Sequence, residues 1–331
     1  MLTEPRDIDR ARLASLLDRH WSIRGARLDY RPVGFGSHHW LAVDRGGRCL
    51  WMSVDDLDAG FQAGLDADGA FAALERAFRT AASLRDDAGL EFVVAPLRDD
   101  EGVVLRRIDE RYALRVAPLV EGTASDWGPY ESAAERRTVA RALGRLHAAT
   151  DRIPDDLPRR EDFAIPSRAE LDAALRDVDA PWGSGPFAEP TRALLDANGE
   201  KIERLSREYD ALVAEACRST VAWVITHGEP HRANVVRGSA GEVHLIDWDT
   251  TLIAPRERDL RMVIDDAGTG LEDYAAAGGD ASLDARIVEA YGRWWQLADI
   301  AGFVDVLRRP HGRTADTTAA WENLAAIVAA A

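Results

Sequence analysis

The residues best suited to chemistry lie between positions 227 and 249. His227-Gly228-Glu229-Pro230-His231-Arg232-Ala233-Asn234 runs into Val235-Val236; after a turn comes Val243-His244-Leu245-Ile246-Asp247-Trp248-Asp249. The short apolar runs read as strands with polar residues at their ends. This sets a carboxylate (Glu229), an amide (Asn234) and a further carboxylate (Asp247) at neighbouring strand ends. Oxygen donors grouped in this way suit a hard divalent cation such as Mg²⁺. A carboxylate beside the metal can take the proton of an attacking hydroxyl. Phosphoryl transfer uses this combination, because it needs positioning and charge neutralisation more than covalent chemistry.

The elements that must position these groups fall into two kinds. Ile8, Leu13, Leu16 and Leu17 recur at helical spacing over Ile8–Trp21. Leu28–Val33, His39–Asp44 and Cys49–Val54 read as short strands, the last two joined by a turn at Arg45-Gly46-Gly47. A helix is predicted over Asp68–Asp87, ending near Gly89, and strands over Phe92–Ala95, Val103–Ile108 and Tyr112–Val120. From Glu131 the pattern turns helical: Val139, Leu143 and Leu146 mark a helix over Glu131–Thr150, and Pro190–Cys217 is a second long helical stretch. Ile153–Pro166, rich in proline and charge, reads as a connection. The strand Val221–Ile225 leads into the polar segment, and helices are predicted near Pro255–Asp266, Leu283–Arg308 and Asp316–Ala330. A small mixed lobe followed by a larger helical one makes an α+β chain, and 331 residues exceed the usual size of a single core.

Composition narrows the partners. The net charge of -16 argues against nucleic acid, whose phosphates require a basic face. It suits a cationic small molecule drawn to an acidic cleft, although negative charge also serves solubility. No apolar run is long enough for a membrane span, and Met1-Leu2-Thr3-Glu4-Pro5-Arg6 lacks the pattern of a signal peptide. Two cysteines, Cys49 and Cys217, make no disulfide framework, so a cytoplasmic protein is expected. The single lysine is Lys201.

The polar segment resembles the catalytic and metal loops of the aminoglycoside phosphotransferase family, written His-x-Asp-x-x-x-x-Asn and then Ile-Asp-Trp or Ile-Asp-Phe. The continuation Trp248-Asp249-Thr250-Thr251-Leu252-Ile253-Ala254-Pro255-Arg256-Glu257-Arg258-Asp259-Leu260 is similar to the spectinomycin-phosphotransferase branch, and Leu143-Gly144-Arg145-Leu146-His147 resembles the helix ahead of the loop. The resemblance runs from about Leu28 to Arg309. It implies a two-lobed protein-kinase-like fold, with residues 1–118 as a nucleotide-covering lobe and 119–331 as the catalytic and acceptor-binding lobe. It also implies Mg²⁺ held by Asn234 and Asp247, and ATP or GTP as co-substrate. The hinge would lie at Tyr112–Val120, with backbone groups of Pro118, Leu119 and Val120 reading the purine. Asp259 would brace the loop. His227 would do so too, or would act as a base; the bracing role is favoured because a kinase-like mechanism needs no histidine. His231 has the same two readings, and Trp248 is expected to pack under the metal loop.

Two positions depart from that pattern. Glu229 replaces the catalytic aspartate, and a shift of about 1 Å in a base can cost about a hundredfold in rate. The third strand, Arg48-Cys49-Leu50-Trp51-Met52-Ser53-Val54, has Ser53 or Met52 where the family has a phosphate-binding lysine. His38, His39 and Arg48 are candidate substitutes. Gly34-Phe35-Gly36-Ser37 is a shortened phosphate-covering turn, and an ordinary hairpin turn is its alternative. Asp265, Asp266, Glu272 and Asp273 are candidates to line an acceptor cleft. Two functions follow: a phosphotransferase acting on a small, cationic, aminoglycoside-like acceptor, as an antibiotic-resistance enzyme would, or a pseudokinase-like binding protein. Recruitment of the fold for other chemistry is a third, weaker reading.

Overall fold

A computed structural model of the chain describes residues 1–58 and 65–330. Helix α1 (Arg10–Trp21), capped by the Asp9 carboxylate on the Ala11 N–H, leads into strands β1 (Arg27–Arg31), β2 (Ser37–Val43) and β3 (Cys49–Asp56). Helix α2 (Ala67–Asp86) follows, then β4 (Arg106–Arg107) and β5 (Tyr112–Pro118). The strands form one antiparallel sheet in the order β1-β2-β3-β5-β4. Side chains alternate across it. Trp40, Ala42, Leu50, Met52, Val54, Leu114 and Val116 pack beneath α1, leaving His39, Ser53, Asp55 and Arg115 to the opposite face.

The remainder is mainly helical: α3 (Ala133–His147), β6 (Arg159–Arg160), α4 (Arg168–Arg176) and α5 (Ala188–Ala216). β7 (Trp223–Thr226), β8 (Val235–Arg237), β9 (Val243–Leu245) and β10 (Leu252–Pro255) come next, then α6 (Glu257–Val263), α7 (Leu271–Ala276), α8 (Ala285–Arg308) and α9 (Ala315–Ala330). β10 lies between β6 and β7, and β8 pairs with β9 as a hairpin. Helices α4, α5, α8 and α9 enclose one core; a second runs from α2 through α3 to the strands around the polar segment and so crosses residue 118. No helix among the described residues is long and apolar enough to cross a membrane.

Two predicted strands shrink. Phe92–Ala95 gives a single bridge, Val93 to Leu245, because the Val94 N–H and Phe92 carbonyl bond Leu245 rather than a neighbour in the first sheet. Val103–Ile108 narrows to β4 because the Asp99 carboxylate accepts the Glu101 and Val103 N–H groups and curls the chain. The short helices α4 and α7 had no sequence signal; each opens from a left-handed residue, Ser167 and Gly270.

Candidate active site

β7 ends at Thr226, and the chain turns at Gly228, whose φ is 101°. A Cβ there would collide with the Arg258 guanidinium and the Thr250 hydroxyl, so glycine is required on space as well as on conformation. The turn is held from below by Asp259 on α6. Its oxygens accept the N–H groups of His227 at 2.8 Å and Gly228 at 2.7 Å, and His147 Nε2 lies 3.1 Å away. Burial opposes the Asp259 charge, yet the hydrogen bond and charge of His147 hold its carboxyl below the usual range. His227 Nε2 donates to the Ile246 carbonyl and Nδ1 accepts the Glu229 N–H, which fixes one neutral tautomer. Burial lowers its ring pKa to about 4. Both nitrogens being engaged within the loop, His227 is a brace. Trp248 is buried beside it and donates to the Leu245 carbonyl, a packing role.

Above this floor the functional groups meet. The Ile246 N–H bonds the Asn234 carbonyl at 3.0 Å, which sets Asn234 beside the loop that bears Asp247. Asn234 Nδ2 donates to the Glu229 carbonyl at 3.1 Å and so leaves Oδ1 as the acceptor end of the amide. Asp247 sits at φ 66°, a left-handed backbone that L side chains seldom adopt and that concentrates at functional sites. Glu229 Oε1 is buried without a hydrogen-bond partner among the described residues. Burial, then the Asp247 charge, pushes the Glu229 carboxyl up to about 8. Asp249 is pushed well above its ordinary value by burial and by Asp247 and Glu229. His231 Nε2 is 3.6 Å from Glu229 Oε2, but burial lowers that ring to about 4, so it is neutral and no counter-ion. An added cation would ease the ionisation of Glu229 and Asp249 beside Asp247. Among the described residues no three histidine, cysteine or acidic side chains are grouped to hold a metal unaided. One carboxylate and one amide fit Mg²⁺ instead, which is usually completed by phosphate oxygens and water.

The face of the first sheet turned away from α1 forms the other wall. Gly34 and Gly36, at φ 71° and 81°, shape the turn before β2. The Ser37 hydroxyl is turned inward, donating to Asp55 Oδ1 at 2.6 Å. Ser53 is buried, its Oγ 3.0 Å from His39 Nδ1. Of the candidate substitutes for lysine, only His39 reaches this face: His38 packs on the other side against Tyr30 and Trp40, and Arg48 pairs with Asp44 in the hairpin. Sequence reasoning missed Arg115, which pairs with Asp55 at 3.1 Å and lies 3.7 Å from Asp247 Oδ1. A charged residue inside the apolar run Tyr112-Ala113-Leu114-Arg115-Val116-Ala117 was the available signal. Pro118, Leu119 and Val120 make the crossing from β5 toward the helical part, which Thr123 then joins by a bridge to Arg237.

Beyond the loop, Arg261, Trp295, Gln296, Asp299 and Ile327 line a pocket of about 420 Å³ together with Glu289, Gly292, Arg293 and Ala330. Phe303, one turn past Asp299 on α8, meets Phe35 of the glycine turn at 6.0 Å between ring centres, so this helix face borders the cleft. Two acids expected to line an acceptor cleft are engaged elsewhere: Asp265 with Arg136 and the Thr269 N–H, Asp273 with Arg137 and Arg141. Asp266 and Glu272 are absent from this pocket, whose acids are Glu289 and Asp299. Burial raises the Asp299 carboxyl to about 7, against the opposing pull of Arg261.

Residues 60–303 match the family described as phosphotransferase enzyme family. Over 345 aligned positions the chain is 29% identical to Protein StrN of Streptomyces griseus, covering 98% of this chain and 95% of that protein. Among solved structures, spectinomycin phosphotransferase in complex with ADP and spectinomycin superposes with a TM-score of 0.72 at 15% identity, covering 98% of each chain. Amicoumacin kinase in complex with AMP-PNP and Ca²⁺ gives 0.59 at 12% identity, covering 97% of this chain and 92% of the other. At these identities the likeness shows a common kinase-like fold of small sheet lobe and larger helical lobe.

Proposed function

Since the chain belongs to the phosphotransferase enzyme family, we propose that it transfers the γ-phosphoryl group of ATP to a hydroxyl of a small, cationic natural product. In this reading residues 1–118 cover the nucleotide and 119–331 supply catalysis and the acceptor pocket. The backbone of Pro118–Val120 meets the purine, and the turn Gly34–Ser37, with Ser53 behind it, covers the phosphates. Asn234 and Asp247 would hold Mg²⁺, which neutralises charge on the phosphates. Glu229 accepts the proton of the acceptor's hydroxyl while that hydroxyl's oxygen bonds the γ-phosphorus and the bond from the γ-phosphorus to the ADP oxygen breaks. ATP is preferred over GTP because the solved relatives hold adenine nucleotides. The pocket with Asp299 and Glu289 takes the acceptor, its ammonium or guanidinium groups beside the acids.

The observation behind this reading is the Asp247 charge beside Glu229 and Asp249, whose carboxyls burial and that charge push up, so that an incoming cation is favoured there. Thermal unfolding with Mg²⁺ and ATP, followed by mass spectrometry of mixtures with aminocyclitols, tests it: a raised melting temperature and a phosphorylated acceptor are expected. A second reading, a binding protein without transfer, is favoured by the Glu229 carboxyl lying at about 8, where a base stays protonated at neutral pH. Stabilisation by Mg²⁺ and ATP with no product from any acceptor would select it. No effect of millimolar nucleotide would remove both.

A further inference from the structure

We propose that Arg115 grips the donor's phosphates in this chain, taking over from the absent strand lysine; the inference rests on the cleft being a nucleotide site. No lysine is at hand, since Lys201 is tied to the Val328 carbonyl on α9. Register supplies the substitute. His39 lies opposite Ser53, and Ser53 lies opposite Arg115, so the three form one row across β2, β3 and β5 on the face turned to the cleft. A cation lost from the middle strand of such a row is replaced by one on the adjoining strand, about 5 Å away.

The surroundings hold Arg115 as a ligand-binding group is held. Its side chain is only 8% exposed, and a guanidinium so placed needs anionic partners. Asp55, two residues beyond Ser53 and on the same face, accepts from Nε and Nη2. Asp247 lies 3.7 Å from Nη2. The plane rests over the Phe78 ring on α2, 4.6 Å from its centre, which fixes the orientation. In protein kinases the strand lysine is paired with an acid on the neighbouring helix. Here acid and cation both come from the sheet, and the helix contributes an aromatic floor.

One edge of the guanidinium is thereby spent on Asp55, while Nη1 makes no hydrogen bond among the described residues. Arginine's fork suits phosphate oxygens, and this one borders the carboxylate expected to share the metal with those phosphates. His39 completes the wall. Its Nδ1 meets Ser53, and its Nε2 lies beneath Gly34 of the turn, where an added Cβ would be 3.5 Å from it.

Calorimetric titration with Mg²⁺·ADP and with adenosine tests the assignment, because only ADP presents phosphates. Arg115→Met is combined with Asp55→Asn so that no buried acid is orphaned, and circular dichroism checks the fold. The double variant is expected to lose about ten- to a hundredfold in ADP affinity. Adenosine affinity should stay within about twofold. Arg115→Lys keeps the charge without the fork and should lose about three- to tenfold for ADP, a reading that serves even if the double variant does not fold. Unchanged ADP affinity in Arg115→Lys and in the folded double variant, or equal losses for ADP and adenosine, would overturn the assignment while leaving the nucleotide reading intact. A wild-type chain that binds neither compound ends both.

Discussion

Asp247 concentrates two costs at one residue: a left-handed backbone, and a charge that keeps protons on Glu229 and Asp249. Asparagine tolerates that backbone better than most residues and removes the charge. Asp247→Asn is therefore expected to raise the melting temperature of the unliganded protein by about 1–3 °C. Arg115 keeps Asp55 as its partner in that variant. The same change should abolish the further stabilisation that Mg²⁺ gives to nucleotide binding. A variant that melts lower than the wild type would show that this aspartate carries no such cost, and one that still responds to Mg²⁺ would show that it is no metal ligand. The trade of stability for a site is common where like charges are assembled in advance of a cation. His227 shows the opposite economy: both ring nitrogens are satisfied, so it adds order and no reactivity.

Among elements, α6 is short and yet anchors the loop, because Asp259 gathers the His227 and Gly228 N–H groups and His147 from α3 on one carboxylate. Asp259→Ala would leave all three buried without an acceptor, at about 3–5 kcal/mol, read as a lower denaturant midpoint with unchanged slope. Helix α8 borders the cleft with Phe303 and the pocket proposed for the acceptor with Asp299. Burial raises the Asp299 carboxyl from 3.8 to about 7. Over that range the folded chain holds a proton that the unfolded chain has released, so this group's contribution to stability falls as pH rises from 4 toward 7. Above pH 7 the cost is present in full. Asp299→Asn is expected to melt higher than the wild type at pH 8, with the gap closing toward pH 4. A gap independent of pH would mean that Asp299 is not the titrating group.

At the scale of the molecule, the net charge of -16 makes the protein an attractor for cations. Affinity for a cationic aminocyclitol is expected to weaken several-fold as NaCl rises to about 0.5 M, because the Debye length then shrinks to a few ångströms. Salt-independent binding would confine recognition to short, water-excluded contacts in the pocket. The two walls of the cleft touch through Phe35 and Phe303, and again where Arg309 donates to the Asp58 carbonyl. The sheet that would cover a nucleotide and the helices that would seat an acceptor therefore meet at defined points.

Local features were legible without coordinates. The hairpin at Arg45-Gly46-Gly47, the long helices, and the sequence from His227 to Asp259 depend on residues near one another in the chain, where turn chemistry and period decide the outcome. So does the order of acid, amide and acid, which named Glu229, Asn234 and Asp247. What needed the tertiary structure was whatever depends on strand register and on distant burial. Arg115 is 62 residues beyond Ser53, and only the pairing of β3 with β5 sets them opposite. Phe92–Ala95 has the composition of a sheet strand but bonds Leu245 far along the chain. The pocket beside the loop draws its acids, Glu289 and Asp299, from α8, because helix packing chooses which face meets the cleft, and a helix's own sequence does not name its neighbours. The chain's order of residues determined the reagents; their company was decided by folding.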